Sequence, residues 1–168
     1  MHIITDLRSG GAEYVLFRLL ANDNINTHSV VILGQIKGTI GNELLKRGIE
    51  VFSLNISWRK LDITSFYELY KTIKRVNPNI VQTWMYHANL VGSLIAKIAG
   101  EYSTIWCLHA ASIDTLSFKT KVISVFNSLI SYWLPTKIIC VSSKTLQVHK
   151  QWGYCANKLE LIYNGVDT

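Results

Sequence analysis

The 168-residue sequence has few prolines and cysteines and no long apolar run. Its 2 prolines and 10 glycines exclude a collagen-like or low-complexity chain. The 3 cysteines are odd in number and form no C-x-x-C pair, so a disulfide framework is not expected and a reducing compartment fits. The longest apolar stretch, residues 122–134, is interrupted by polar side chains, whereas a membrane-spanning helix needs about 20 apolar residues. We therefore expect a soluble chain without a membrane span.

Several motifs of known chemistry are also absent from the sequence. It contains no H-x-x-x-H, H-E-x-x-H or D-x-D pattern, so no metal cofactor is predicted. It contains no G-x-S-x-G nucleophile elbow, and neither the G-x-G-x-x-G nor the P-loop fingerprint. The first residues lack the basic start and apolar core of a signal peptide.

The charge balance is basic, with 17 Lys and Arg against 11 Asp and Glu and a net charge of +6. Such a balance suits nucleic acid, an anionic membrane surface or a phosphorylated small molecule. The basic residues are scattered and form no run of five or six. A nucleic-acid partner is therefore not predicted.

Short β-rich runs alternate with longer helical patterns along the whole chain. Strands are predicted at residues 2–5, 28–33, 50–54, 80–84, 104–108, 137–141 and 159–163. Helices are predicted at residues 11–22, 40–47, 62–76, 87–99, 115–134 and 142–152. Repeated strand–helix units predict an α/β fold, with a Rossmann-like, doubly wound, mostly parallel sheet of six or seven strands and helices on both faces.

Apolar spacing also predicts which helix faces are buried. The inward side chains are expected to be Val15, Leu16, Leu19 and Leu20 in the first helix, and Leu90, Val91, Leu94, Ile95 and Ile98 in the fourth. Residues 118–134 have two interpretations. They form either an interfacial helix whose Lys119 and Lys121 meet anionic lipid, or a helix buried against the sheet or under a second domain.

Ligands of doubly wound sheets bind beyond the carboxyl ends of the strands, so the turns after the strands are candidate sites. The first such turn contains Gly10 and Gly11, with Ala12 opening the next helix. Exposed amides and the helix dipole there favour a phosphate, and Glu13 is a carboxylate that matches the same dipole. The alternative is a tight turn that needs glycine only for its backbone freedom.

Two histidines follow strands and are candidates for chemistry. His109 comes directly after the fifth strand, with Asp114 five residues further on, and His87 follows the fourth. Each can contact a sugar hydroxyl or phosphate or act as a general base, or else cap a helix or pair with a buried carbonyl. The remaining histidines, His2, His28 and His149, are expected to be structural or exposed. The numerous aromatic residues are expected mainly in the core.

The ordered set of segments resembles a known family. It consists of residues 3–13 (Ile-Ile-Thr-Asp-Leu-Arg-Ser-Gly-Gly-Ala-Glu), residues 82–89 (Gln-Thr-Trp-Met-Tyr-His-Ala-Asn), His109, Val141-Ser142 and residues 161–167. Together they are similar to the N-terminal domain of retaining GT-B glycosyltransferases of the nucleotide-sugar-dependent family 4. The resemblance covers nearly the whole chain.

The resemblance implies two facing Rossmann-like domains, of which residues 1–163 form the acceptor-side one and residues 164–168 begin the linker. The donor domain is expected to be absent from this chain, which is then inactive alone. Gly10, Gly11 and Ala12 are assigned to the donor diphosphate and His109 to catalysis. The residues assigned to the acceptor are His87, Asp114 and Arg8.

The implied co-substrate is a nucleotide-sugar, used without a metal or other cofactor. The implied acceptor is a glycan or a lipid-linked glycan of polysaccharide or cell-envelope biosynthesis. The expected location is cytoplasmic, with possible peripheral contact at the inner membrane face. Two other functions stay open, namely a stand-alone binding module that docks a partner and an unrelated doubly wound nucleotide-binding protein.

Overall fold

A computed structural model describes residues 1–8, 10–35, 39–56, 63–112 and 116–165. Its strands are β1 (His2–Ile4), β2 (Ser29–Ile32), β3 (Glu50–Ser53), β4 (Ile80–Trp84), β5 (Ser103–Leu108), β6 (Lys137–Cys140) and β7 (Leu159–Leu161). Its helices are α1 (Gly11–Asn22), α2 (Thr39–Lys46), α3 (Ile63–Val76), α4 (Met85–Ala99), α5 (Phe118–Ile130) and α6 (Ser143–Gln151), with a short 3₁₀ turn at Ala156–Lys158.

All seven strands form one parallel sheet in the order β3-β2-β1-β4-β5-β6-β7. The order reverses between β1 and its neighbour β4, where His2 pairs with Val30 on one side and with Gln82 on the other. The predicted doubly wound, Rossmann-like α/β fold is confirmed. This topology creates a crevice at the carboxyl ends of β1 and β4, where such sheets bind ligands.

Alternate side chains of the strands point to opposite faces of the sheet and pack in two different core layers. Val30 and Ile32 pack with α1 and α2, whereas Val31 and Leu33 pack with α3 and α4. Trp106 is on the same sheet face as Ile3, because both pair with Thr83, and it packs with side chains of α5 and α6. One face therefore carries α1 and α2, and the other carries α3 to α6.

The predicted inward faces are correct only in part. In α1, Leu16 and Leu20 are buried as predicted, but Leu19 is 41% exposed. In α4, Leu94 and Ile98 are exposed, so their predicted inward orientation is wrong. The side chains that α4 buries are small or polar instead, namely Ala88, Asn89, Gly92, Ser93, Ala96 and Ala99, with Tyr86 in its first turn.

Gly92 explains why the small face of α4 turns inward. A Cβ atom there would lie 2.8 Å from Thr83 Cγ2 and 3.1 Å from Ile3 Cδ1. Any larger side chain would push the helix off the sheet. Apolar periodicity misses this because it registers hydrophobicity and not the space available beneath a helix.

The predicted helix at 115–134 is shorter in the structure. It begins after Ser117, whose side chain accepts a hydrogen bond from the amide of Thr120 at 3.2 Å, and it ends at Ile130. The first residues of two predicted helices, Asp62 and Thr115, lie outside the described residues. Ser142 caps α6, accepting from the amide of Thr145 at 3.1 Å. None of the described helices combines the length and apolarity needed to cross a bilayer.

Candidate functional site

A cavity of about 480 Å³ opens between α1 and the strands β4, β5 and β6. At the carboxyl ends of β4 and β5, Trp84 and His109 line it. Leu19 of α1 is exposed because it faces this cavity. The segment after β7 closes the opposite side with Tyr163 and Asn164.

His109 brings an unsatisfied polar atom to the cavity wall. It comes directly after Leu108, the last residue of β5, and its Nε2 atom is buried without a hydrogen-bond partner among the described residues. Burial lowers the pKa of His109 to about 4, so the ring is neutral at pH 7. A buried, unpaired ring nitrogen is costly unless a ligand or water completes it. The Nε2 atom of His109 is therefore a polar atom of the cavity region with no partner among the described residues.

Trp84 forms the neighbouring wall, with its ring centroid 5.5 Å from that of His109. Its indole Nε1 donates to His2 Nδ1 at 3.4 Å. His2 Nε2 lies 3.2 Å from His28 Nδ1, and His28 Nε2 lies 3.0 Å from Asp23 Oδ2. The indole can only donate, so His2 Nδ1 accepts from it. The simplest assignment is then that His2 Nε2 donates to His28 Nδ1 and that His28 Nε2 donates to Asp23. These hydrogen bonds hold Trp84 in position. Burial lowers the pKa of His2 to about 3, so its ring is neutral at pH 7.

The glycine turn after β1 is open on one side and covered on the other. A Cβ atom at Gly11 would meet nothing within 4 Å, whereas one at Gly10 would lie 2.9 Å from the carboxyl carbon of Glu13. Glu13 therefore lies over the start of α1, where the helix dipole favours negative charge. Its partial burial raises the pKa of this carboxylate. The predicted anion site thus already faces an anionic group of the protein itself.

The other predicted site residues have varied surroundings. Arg8 is exposed and donates to Asp6 Oδ2 at 2.7 Å. Ala12 is buried in the core. His87 is half-buried in the first turn of α4, where burial lowers its pKa. Asp114 lies outside the described residues.

The structure therefore groups the predicted residues unevenly. His109, the residue assigned to catalysis, lines the cavity. Gly10 and Gly11 come after β1 and His87 comes after β4, and these three residues do not line it. Trp84 belongs to the strand-end turns that the sequence marks as candidate sites, but like the other aromatic residues it was expected mainly in the core and was given no role in the site.

Cys107 also lines the cavity but is not arranged as a nucleophile. Burial raises the pKa of its thiol to about 12, and Gln82 Nε2 donates to its sulfur at 2.9 Å. The thiol is therefore protonated at pH 7 and packs as a small apolar group. All three cysteines are buried and free. Within the described ranges, no three His, Cys, Asp or Glu side chains are grouped to hold a metal ion.

Comparison with known proteins connects this geometry to enzymes of sugar transfer. The chain is similar to an Escherichia coli protein described as UDP-Gal:alpha-D-GlcNAc-diphosphoundecaprenol alpha-1,3-galactosyltransferase, with 23% identity over 154 residues that cover 90% of this chain and 40% of that protein. The structure of Anabaena Alr3699/HepE in complex with UDP and glucose matches with a TM-score of 0.75 and 22% identity, covering 99% of this chain and 45% of that one.

A second solved structure, the lipopolysaccharide outer core galactosyltransferase WaaB in its apo form, matches with a TM-score of 0.65 at 16% identity. It covers 99% of this chain and 46% of that one. The chain thus spans less than half the length of the relatives it matches, and at these identities the solved structures show a shared fold. The model of Glycosyltransferase Family 4 matches residues 9–168. The chain belongs to Glycosyltransferase Family 4.

Proposed function

We propose that this chain is the acceptor-side domain of a retaining glycosyltransferase that moves a sugar from a UDP-sugar to a glycan or lipid-linked acceptor. The observation that carries the proposal is the buried, unpaired Nε2 of His109 beside Trp84, at the ligand-binding edge of a family 4 fold. The Escherichia coli relative is named for a UDP-galactose donor and a diphosphoundecaprenol-linked acceptor. We extend that pair of substrate classes to this chain.

His109 acts in this proposal by hydrogen bonding. With a pKa of about 4, its ring is too weakly basic to retain a proton at pH 7. A neutral Nε2 in a site poor in water binds a sugar hydroxyl strongly, because the alternative is an unpaired buried atom. His109 therefore orients the transferred sugar against the acceptor, and Trp84 supplies an aromatic wall.

The amides of Gly10, Gly11 and Ala12 bind the donor diphosphate. During transfer the acceptor oxygen bonds to the anomeric carbon, the bond from that carbon to the diphosphate oxygen breaks, and its electron pair leaves with the diphosphate. The acceptor's hydroxyl proton is released to the leaving diphosphate. Amides and a helix N-terminus fixed before the reaction stabilise the charge that develops there.

Glu13 must rotate away from Gly10 when the diphosphate binds, because two anions cannot share the turn.

His87, Arg8 and Asp114 are assigned to the acceptor. Most of the nucleotide contacts are assigned to a second domain or partner chain, with no metal involved. The reaction is placed at the cytoplasmic membrane face, in polysaccharide or cell-envelope synthesis.

Titration of this chain with UDP and UDP-galactose, followed by amide NMR, tests the diphosphate site. We expect weak binding, with a Kd of about 1 mM or weaker, because the proposal assigns most of the nucleotide contacts to a second domain or partner chain. The shifts are expected to centre on Gly10 and Gly11. Gly11→Val abolishes these shifts while Gly11→Ala retains part of them. Both variants fold, since a Cβ at Gly11 meets open space. Shifts that map elsewhere, or that survive in Gly11→Val, contradict the assignment.

Turnover tests His109 in a polypeptide that joins this chain to a donor-binding domain. We expect His109→Ala to lower kcat by about 100-fold or more, since one preorganised hydrogen bond to the reacting sugar is lost. Thermal unfolding of the same variant is expected to change little, because Nε2 bonds to no described residue. A large loss of stability with unchanged kcat in the remaining folded protein refutes the catalytic role.

A further inference from the structure

One side of α5 and the turn after it exposes a row of large apolar side chains. Each is at least half exposed, and they are Phe118, Val122, Val125, Phe126, Leu129, Tyr132 and Trp133. Their spacing of three, four and seven residues places them along one side of the helix. We call these seven residues the α5 face. A contiguous exposed apolar patch of this kind marks an interaction surface.

The opposite side of α5 explains why the apolar side points outward. Asn127 Nδ2 donates to the carbonyl of Tyr86 at 2.8 Å, and Ser124 Oγ lies 3.0 Å from the hydroxyl of Tyr154. Ser131 Oγ accepts from the amide of Cys155 at 2.9 Å. Each of these buried side chains makes a hydrogen bond, although Asn127 Oδ1 has no partner among the described residues. The helix therefore cannot turn its apolar side inward without breaking these bonds.

The sequence segment that contains the α5 face has charges of one sign, and its Lys137 pairs with Glu160 directly beyond it. Residues 115–159 contain six lysines and neither Asp nor Glu. The other eleven basic residues of the chain are balanced by its eleven acidic ones, so the whole net charge of +6 arises in this segment. Lys119 and Lys121 belong to the first turn of α5 itself.

We propose that the α5 face docks on the surface of an anionic lipid bilayer. Apolar side chains of an interfacial helix enter the acyl boundary while its lysines contact lipid phosphates. Tyr132 and Trp133, at the end of the face, are the residue types that favour the headgroup level. A second copy of this chain fits less well, because a face that meets itself brings the lysine-rich segments together.

The position of α5 connects this surface to the site. A helix that follows a parallel strand begins at the carboxyl edge of the sheet, so Phe118 and Lys119 lie at the edge where β5 ends in Leu108, directly before His109. Docking would therefore bring the edge that carries His109 towards the bilayer. This last step rests on the proposed function, since it matters only if the acceptor is held by a lipid.

Flotation of this chain with lipid vesicles tests the docking. Vesicles of phosphatidylcholine alone are compared with vesicles that contain about 30% phosphatidylglycerol. We expect about tenfold or greater partitioning to the anionic vesicles, weakened by high salt. The double variant Phe126→Ser and Leu129→Ser is expected to lose this partitioning about tenfold, and Lys119→Gln with Lys121→Gln to lose the preference for anionic lipid.

The matched control is Ile63→Ser with Tyr67→Ser on α3, because these side chains are 77% and 58% exposed but lie outside the α5 face. It is expected to bind vesicles like the unaltered chain. Trp133, 77% exposed, is a probe within the face itself. Of the other tryptophans, Trp84 and Trp106 are buried, Trp152 is part-buried and Trp58 lies outside the described residues. Brominated acyl chains are expected to quench the fluorescence of Trp133, and Trp133→Phe to lose that quenching while still binding.

Three results overturn the proposal: no binding to either vesicle, equal losses in the α5 and α3 variants, or assembly of the free chain into an oligomer that the α5 variant dissolves. The last result assigns the face to a second copy. Capture of an acidic protein by the face, with no vesicle binding, assigns it to that partner.

The docking test and the transfer proposal fail independently. The vesicles contain neither nucleotide-sugar nor acceptor, so failure to bind them does not contradict the transfer proposal. Failure of the His109 test likewise does not contradict the docking proposal.

Discussion

Helices α3 and α5 lie on the same face of the sheet but are oriented in opposite ways. α3 buries Leu69 and Ile73 and exposes a charged side, where Lys71 pairs with Glu68 at 2.6 Å. α5 buries Ser124, Asn127 and Ser128 and exposes its apolar side. The contrast teaches that the surface beneath a helix decides which side packs inward. Hydrophobicity of the helix alone does not.

The core beneath α5 contains buried polar groups as well as apolar side chains, and these groups are the physical reason for the difference. Tyr86 and Tyr154 are buried there, and burial raises the pKa of both hydroxyls. The hydroxyl of Tyr86 lies 2.8 Å from His149 Nε2, and His149 Nδ1 lies 2.7 Å from the carbonyl of Thr145. Buried polar groups need partners, and α5 and α6 supply them. Beneath α3 the core is apolar.

The largest expected effect concerns the small inward face of α4, to which α5 is packed. Gly92→Val is expected to lower the free energy of unfolding by about 3 kcal/mol, because its added carbons meet Thr83 and Ile3 at the sheet surface. Urea unfolding followed by circular dichroism measures this. Tyr67→Val, on the exposed side of α3, is the control and is expected to change little. Equal stabilities would show that small residues do not set the approach of α4.

The second effect breaks the polar attachment of α5. Asn127→Ala is expected to cost about 2 kcal/mol, since it removes a buried side-chain hydrogen bond to the carbonyl of Tyr86 and leaves a cavity. Ser65→Ala on α3 is the matched change, and we expect a smaller cost of about 1 kcal/mol there. Urea unfolding compares the two variants. A cost for Asn127→Ala no greater than that for Ser65→Ala would mean that α5 is held by packing rather than by hydrogen bonds.

The strands and the parallel fold were predictable from the sequence because a strand buried on both faces needs a continuous apolar run. The run at 28–33 and the strand β2 illustrate this. Helix orientation was predictable for α3, where apolar spacing and burial agree at Leu69 and Ile73. It was not predictable for α5, because the polar groups that decide its orientation come from Tyr86 and distant residues of the chain.

The candidate site was predictable to the level of strand ends. His109 was singled out because it follows β5, and the structure adds that its Nε2 is buried and unpaired. Sequence could not show that Glu13 covers Gly10, since this depends on a side-chain rotamer. Nor could it show that hydrogen bonds connect His28 through His2 to Trp84, because the partners are up to 82 residues apart in the sequence.

Lowering the pH is expected to destabilise the region of α5 and α6 more than α3. Burial among Tyr86 and Tyr154 lowers the pKa of His149 below its unfolded value of about 6.5. Below that pH the unfolded chain binds a proton that the folded chain does not, so stability falls as the pH decreases. The slope from this group is at most about 1.4 kcal/mol per pH unit.

Hydrogen exchange at pH 7 and pH 5 measures the regional effect, after correction for intrinsic rates. The amides of α6 are expected to lose more protection than those of α3, a helix that carries no histidine. His149→Gln is expected to reduce the difference. Part of the global pH dependence should persist in this variant, because burial also lowers the pKa of His2 to about 3. Equal loss of protection in α3 and α6 would place the acid-sensitive step elsewhere.

The smallest expected effect on stability lies on the exposed sides of the two helices. Phe126→Ser on α5 and Tyr67→Ser on α3 are each expected to change the free energy of unfolding by less than about 0.5 kcal/mol, because both side chains are at least half exposed. The variants should differ in surface behaviour instead. Only Phe126→Ser interrupts a row of apolar side chains, so only it should clearly reduce binding of a hydrophobic dye to the folded chain and raise its solubility. A large destabilisation by Phe126→Ser would mean that the α5 face packs within the fold, and the contrast with α3 would then disappear.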